Sequence, residues 1–168
     1  KTSGNGKLAF LAAWGSVTQR GGSEREALEF VTKLYAQVPV LDLGARGSTI
    51  TFTRKKIGDV HLTWENEAYL EVEEARGQLE IVYPPISFLA EPPVAVVTAN
   101  AKRKGTEGTA RAYLEFVYTK AGQQILAQNH YRPIDPKILA QANFPQLTLF
   151  PVTAIARSWD DATDKFFG

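Results

Sequence analysis

The residues best suited to chemistry stand in a turn of small residues near the first position of the chain. Ser3, Gly4, Asn5 and Gly6 precede an apolar run at 8–14, which is typical of a turn that opens a helix. The first N–H groups of a helix have no partner inside it, and the helix dipole makes that end positive. Such a turn can bind an anion, and Ser3 adds a hydroxyl donor. An ordinary helix cap uses the same residues, so both interpretations stay open.

Two further segments carry donors without a formal charge. Gly44 to Gly47 forms a small-residue loop between a predicted strand and a predicted helix. Trp64 ends an alternating segment at 59–64 and supplies an indole N–H, although a tryptophan by itself is more often a core residue. In open α/β sheets, ligands bind at the carboxyl ends of strands, near helix starts. If these segments are neighbours, a site made of donors alone results.

Helical and strand-like patterns alternate along the chain. Ser23 and Glu26 have the spacing of a capping box, and Thr153 is expected to cap the last helix. The patterns predict helices at 7–19, 49–55, 65–75, near 110–117 and at 122–129, and strands at 38–41, 59–64, 79–83, 94–97 and 146–150. The alternation favours an α/β layer structure with a largely parallel sheet flanked by helices.

Composition narrows the possible functions. The chain has 168 residues, 44% of them hydrophobic and 22% charged, which is ordinary for a globular protein. A net charge of +1 gives no bulk field that would attract nucleic acid or a membrane. The absence of cysteine excludes disulfides, thiolate metal sites and cysteine nucleophiles. There is no methionine and no visible signal peptide, so we expect a processed chain or a fragment.

The remaining polar residues suggest structural roles. His61 and His130 are too far apart to favour a metal site, and we expect no cofactor. No serine, histidine and acid have a spacing that favours catalysis, so we expect no enzyme. Ser48 and Thr49 are expected to cap the helix that they precede, and Asp42 to pair with Arg46. The acidic residues at 65–74 are expected to form a solvated helix face.

Several separated motifs resemble one family, in matching order and through nearly the whole chain. The motifs are KTSGNG at 1–6, LAFLAAWG at 8–15, VLDLGARGST at 40–49, GDV at 58–60, WENEA at 64–68, LAEPPVAVV at 89–97 and YRP at 131–133. They look like the periplasmic sulfate/thiosulfate-binding proteins of ABC importers. This resemblance implies one lobe of a type II periplasmic binding protein, a two-lobed clamp whose N-terminal lobe is missing here.

The resemblance also implies a binding site for sulfate. The family's donors on this side fall on five positions, which are the Ser3 hydroxyl, the backbone N–H groups of Gly4, Asn5 and Ala45, and the Trp64 indole N–H. Many relatives have glycine at the position of Asn5, so that donor depends on a backbone conformation that asparagine tolerates.

A site made of donors suits sulfate for a reason independent of the resemblance. Sulfate at neutral pH carries no proton and only accepts hydrogen bonds. A half-protonated phosphate needs an acceptor as well, and leaving its proton unpaired costs a few kcal/mol. Specificity for sulfate over phosphate then depends on the absence of hydrogen-bond acceptors from the site. Asp42 and Glu65 are close to the donors in sequence, so we expect both to point away or to be paired.

The resemblance further implies an organisation and partners. Residues 1–90 would form the core of the ligand-binding lobe, 91–147 the return crossing with helices near the other lobe, and 148–168 a C-terminal strand and helix. The implied setting is the periplasm, with sulfate or thiosulfate as ligand, an ABC permease as membrane partner and no nucleic acid. The alternatives are a small-molecule-sensing domain of a regulator and a protein for another oxyanion, such as molybdate.

Overall fold

The first two helices form a hairpin that is capped at both starts. The computed structural model describes residues 3–168. Helix α1 is Gly4–Thr18, capped by Ser3, and helix α2 is Glu24–Ala36. The predicted capping box at the start of α2 is confirmed, with the Ser23 hydroxyl accepting from the Glu26 N–H and the Glu26 carboxylate accepting from the Ser23 N–H. These bonds satisfy N–H groups that the helix itself leaves unpaired.

The rest of the described chain is mainly helical. The other helices are α3 (Ala45–Thr53), α4 (Glu65–Ala75), α5 (Thr98–Lys104), α6 (Glu107–Val117), α7 (Lys120–Gln128), α8 (Pro136–Gln141) and α9 (Trp159–Phe167). Strands β1 (Ile86–Phe88) and β2 (Thr148–Phe150) pair in parallel, with Phe88 opposite Phe150, and a 3-10 turn covers Val152–Ala154. The cap of α9 is Ser158, so the prediction of Thr153 in that place is wrong. The sequence patterns also missed α5 and α8.

The described residues divide into two compact units. The first contains the residues up to Ala90 together with Leu147–Gly168, and the second contains Glu91–Gln146. The core of the first unit consists of Leu11, Phe88, Phe150, Val152 and Ala162. A second cluster of Trp14, Ala27 and Val31 lies between α1 and α2. Within α1, Leu11, Trp14 and Gly15 are buried. The place of residues 91–147 in a longer, two-lobed protein stays a prediction.

Several predicted strands do not form among residues 3–168. Residues 38–41, 59–64, 79–83 and 94–97 pair with no described strand, whereas the prediction at 146–150 is confirmed for Thr148–Phe150. A strand is stabilised by the neighbour that completes its hydrogen bonds, so alternation alone does not create one. Many of their apolar side chains are instead exposed, with Val60 and Val82 each 78% exposed, whereas Leu79 and Ile81 are partly buried.

Candidate functional site

The start of α1 keeps its donors available while it is capped. The Ser3 Oγ accepts a long hydrogen bond of 3.4 Å from the Gly6 N–H, and the Ser3 carbonyl accepts from the Lys7 N–H at 3.0 Å. The Ser3 hydroxyl proton stays free to donate, because a hydroxyl oxygen accepts through its lone pairs. The N–H groups of Gly4 and Asn5 precede the first helical bond and donate to no residue among 3–168. The cap and the anion interpretation are therefore compatible.

The turn is also open and unstrained. A Cβ at Gly4 would meet no atom within 4 Å, and Gly4 is exposed. Asn5 lies inside α1, and it is not among the described residues with positive φ. Asparagine at this position therefore requires no left-handed conformation, and its backbone N–H is oriented as a glycine's would be.

Helix α3 begins earlier than the sequence indicated, and this changes the role of four residues. The predicted start was Thr49, but the helix begins at Ala45, after an extended Gly44. The Gly44 carbonyl accepts from the Ser48 N–H at 3.1 Å, so Ala45 offers the first N–H of the helix. Ser48 and Thr49 lie inside the first two turns and are not caps. That prediction is wrong because residues 45–48 are already part of the helix.

The predicted ion pair between Asp42 and Arg46 is not formed among the described residues. Asp42 lies instead against the first turn of α3, where its Oδ1 would be 3.3 Å from a Cβ at Gly47. A carboxylate at a helix start is stabilised by the dipole, so Asp42 needs no cation there. Arg46 is exposed. The expected clamp of this loop by an ion pair is therefore replaced by a contact of Asp42 with the helix start.

Trp64 stands immediately before α4, in an extended conformation and partly exposed. Its indole N–H donates to no residue among 3–168. The neighbouring carboxylate of Glu65 is paired, as expected, because it interacts with the Tyr83 hydroxyl. Burial first, and then hydrogen bonding with Tyr69 and Glu65, raises the pKa of Tyr83 above its ordinary value of 10. Tyr83 therefore stays protonated, and its oxygen lies 2.8 Å from that of Tyr69.

A buried chain of hydrogen bonds joins α3, α4 and the segment before Trp64. The Ser48 Oγ lies 2.8 Å from the His61 Nε2, and the His61 Nδ1 lies 3.0 Å from the Glu71 Oε2. The Thr49 hydroxyl donates to the other carboxylate oxygen of Glu71 at 2.9 Å. Glu71 is 4% exposed and the His61 side chain 8%. We call these four residues the Ser48–Glu71 relay.

The sequence patterns do not predict this relay. Residues 59–64, which include His61, form no strand among the described residues, and Glu71 is buried. The predicted strand and the predicted solvated face at 65–74 are therefore wrong for these two residues. One signal was present, because Glu71 stands three residues after Ala68 and four before Ala75, on the less polar face of α4. A carboxylate on that face is expected to be buried and paired.

The relay has the connectivity of a serine–histidine–acid triad, which the spacing in the sequence did not suggest. In such a triad the serine attacks a carbonyl, and nearby N–H groups bind the resulting oxyanion. The Ser48 N–H is already bonded to the Gly44 carbonyl inside α3, so it is not available as such a donor. The Thr49–Glu71 bond links α3 to α4, and the contacts of His61 with Ser48 and Glu71 link both helices to the segment before Trp64.

The structure ties together the two later donor segments. Helices α3 and α4, which follow Gly44 and Trp64, are joined through the relay, whereas α1 packs on α2 and β1. Within residues 3–168, no group of three or more histidine and carboxylate side chains could hold a metal ion. None of the described helices is long and apolar enough to cross a bilayer. The convergence of Ser3, Ala45 and Trp64 on one anion stays a prediction.

Comparison with known proteins identifies close relatives. A family profile described as "Bacterial extracellular solute-binding protein" matches residues 1–132. The thiosulfate-binding protein of Pseudomonas aeruginosa is 48% identical over 170 aligned positions, which cover 99% of this chain and 51% of that protein. The sulfate-binding protein of Escherichia coli is 43% identical over 171 positions, covering 99% of this chain and 52% of that protein.

A solved structure has the same fold. The sulfate-binding protein SubI from Mycobacterium tuberculosis H37Rv superposes with a TM-score of 0.83 and 27% identity, covering 98% of this chain and 56% of that one. The predicted α/β fold class and the resemblance to sulfate/thiosulfate-binding proteins are thereby confirmed. The chain spans about half the length of these relatives.

Proposed function

The chain belongs to the bacterial extracellular solute-binding protein family, and we propose that it forms one side of a binding site for sulfate or thiosulfate. The names of the relatives from Pseudomonas aeruginosa and Escherichia coli support this choice of ligand. We propose five donors, which are the Ser3 hydroxyl, the N–H groups of Gly4, Asn5 and Ala45, and the Trp64 indole.

The observation that supports the proposal is that four of these donors have no acceptor among the described residues. The N–H groups of Gly4, Asn5 and Ala45 and the indole of Trp64 donate to no other described residue. Each one stands at or immediately before the start of a helix, where the dipole attracts an anion. A hydrogen bond to a charged acceptor contributes about 1.5–3 kcal/mol, so several such donors offset the desolvation of a dianion.

The mechanism is capture by neutral dipoles. A dianion loses its hydration shell and receives N–H and O–H donors that need no counter-charge. The Glu65 carboxylate faces the Tyr83 hydroxyl, so it is already occupied as an acceptor. The Asp42 carboxylate lies beside Gly47, and the proposal requires it to point away from the anion. The proton of a phosphate monoanion then finds few acceptors in the site, and sulfate is preferred.

The wider role is that of a solute-binding component of an ABC importer. The anion would be held outside the cytoplasm, in the periplasm, and would be passed to the permease subunits of the membrane after closure of a second lobe. This role involves no nucleic acid and no chemical step on the ligand. The family description as extracellular solute-binding proteins supports this role, and no observation favours a sensing domain of a regulator.

Titration calorimetry of the 168-residue chain with sulfate, thiosulfate and phosphate at pH 7 tests the proposal. We expect heat from sulfate or thiosulfate and at least about tenfold weaker binding of phosphate, the equivalent of about 1.4 kcal/mol. Equal affinity for sulfate and phosphate would overturn the argument from donors alone. The absence of binding of both sulfur oxyanions at millimolar concentration would overturn the proposed ligand.

A further inference from the structure

The Ser48–Glu71 relay joins residues that lie before and after Trp64 in the sequence. His61 stands three residues before Trp64 and Glu71 seven residues after it, and the two side chains are in direct contact at 3.0 Å. The backbone of Trp64 is therefore held from both sides, by the extended segment that carries His61 and by the two helical turns that lead to Glu71.

The relay also fixes this closed segment against α3. Ser48 bonds to His61 and Thr49 bonds to Glu71, so two consecutive residues of α3 hold both ends. Ser48 lies three residues after Ala45, which is less than one helical turn from the first N–H of α3. The ring of Phe52 packs on His61, with centroids 5.3 Å apart.

The bond between Thr49 and Glu71 is the buried part of the relay. Thr49 is 5% exposed, so its bond to Glu71 is shielded from competing water. Among residues 3–168, Glu71 is the charged group that interacts with His61, and the other partners of the imidazole are the Ser48 hydroxyl and the Phe52 ring. A buried carboxylate that lost these partners would be destabilised, and the segments that it joins would separate.

We propose that Ser48, Thr49, His61 and Glu71 are positioning residues that hold the Ala45 N–H and the Trp64 indole in register for one anion. This inference rests on the proposed binding of sulfate or thiosulfate. The relay itself touches no ligand. It acts by fixing the distance between one donor at the start of α3 and one immediately before α4, because misplaced donors lose the alignment on which their strength depends.

Two substitutions of His61 separate this role from simple packing. His61→Leu fills the site but breaks both polar contacts, whereas His61→Gln can donate to Glu71 and accept from Ser48. We expect His61→Leu to weaken sulfate binding about tenfold, the effect of about one misaligned charged hydrogen bond, and His61→Gln to restore most of the affinity. Equal affinity of wild type and His61→Leu, or equal weakness of the two variants, would overturn the proposal.

A second pair of variants keeps the test valid if His61→Leu does not fold. Thr49→Val removes the bond to Glu71, whereas the control Thr53→Val, one turn later, removes only a bond from the Thr53 hydroxyl to the Thr49 carbonyl within α3. We expect about threefold to tenfold weaker sulfate binding for Thr49→Val and unchanged binding for Thr53→Val. Equal affinities for the two variants would contradict the relay.

An NMR measurement on the sulfate-free chain tests the positioning role of the relay independently of the proposed sulfate binding. The indole ¹⁵N–¹H signal of Trp64 is assigned by its loss in Trp64→Phe. In the sulfate-free chain we expect this signal to shift in His61→Leu and Thr49→Val, and to stay in place in Thr53→Val. If the wild type binds no sulfate, the proposed function fails and this signal still decides the positioning, because an unmoved indole signal would overturn it.

Discussion

Gly15 of α1 lies directly against the ring of Phe150 in β2. A Cβ at position 15 would overlap the Cζ and Cε2 atoms of that ring, and Phe150 is almost fully buried. The helix can approach the parallel strand pair this closely only because residue 15 has no side chain. The closeness joins α1, which carries the proposed anion turn, to the core of the first unit.

Gly15→Ala should destabilise the first unit. Overpacking of a core costs about 1–3 kcal/mol, and the ring of Phe150 has little room to move. Thermal unfolding measured by circular dichroism should show a lower midpoint. Gly108→Ala in α6 is the contrasting control, because a Cβ there meets nothing within 4 Å and alanine is the better helix former. An unchanged midpoint for Gly15→Ala would refute the close contact.

Trp64→Phe should weaken sulfate binding by about tenfold to a hundredfold. The change keeps an aromatic ring but removes one N–H donor to a charged acceptor, which contributes about 1.5–3 kcal/mol. Titration calorimetry measures the effect. Trp159→Phe is the matched control, because Trp159 is half exposed and contacts the ring of Phe88. A loss of affinity equal in the two variants would remove Trp64 from the site.

Ser3→Ala should affect binding more than stability. Its capping bond of 3.4 Å to the Gly6 N–H is long, so its loss should cost less than the typical 1 kcal/mol or so of a good cap. The lost hydroxyl donor should weaken sulfate binding about tenfold. Ser158→Ala, which removes the 3.1 Å cap of α9, should do the opposite, lowering the unfolding midpoint and leaving the affinity unchanged. The idea fails if Ser3→Ala binds sulfate as wild type does.

The capping box should make stability depend on pH in the acidic range. The Ser23 N–H first, and then the Ser23 hydroxyl, lowers the pKa of Glu26 below its ordinary value of 4.5. A carboxyl whose pKa is lowered on folding stabilises the folded state above that ordinary value, and this contribution is lost as the pH falls through the folded pKa. The unfolding midpoint should therefore fall less steeply below pH 4.5 in Glu26→Gln than in wild type.

A variant that removes only one of the two hydrogen bonds to Glu26 provides the control for this pH effect. Ser23→Ala removes the hydroxyl but keeps the backbone N–H that donates to Glu26 at 2.7 Å. Its pH profile should lie between those of wild type and Glu26→Gln. Identical slopes for wild type and Glu26→Gln would show that Glu26 does not contribute to the acid sensitivity of the fold.

Local patterns predicted the helices well where the responsible contacts are close in sequence. Ser23 and Glu26 are three residues apart, and their capping box is confirmed. The apolar run at 8–14 contributes Leu11 and Trp14 to α1, where both are buried. The predicted strands at 38–41 and 59–64 are wrong. Alternation of apolar and polar residues indicates which face of a strand would be buried, but it does not indicate which strand would pair with it.

The sequence by itself determined the capped starts of α1 and α2 and the residues that could offer an anion neutral donors. These properties depend only on residues that are close together in the sequence. Only the tertiary structure decided that His61 and Glu71 are buried and bonded to Ser48 and Thr49, between elements 13 to 22 residues apart. Whether a histidine or glutamate is paired or solvated depends on which side chains of another element lie within about 3 Å of it. Short-range periodicity in the sequence does not predict these contacts, because the partners are distant along the chain.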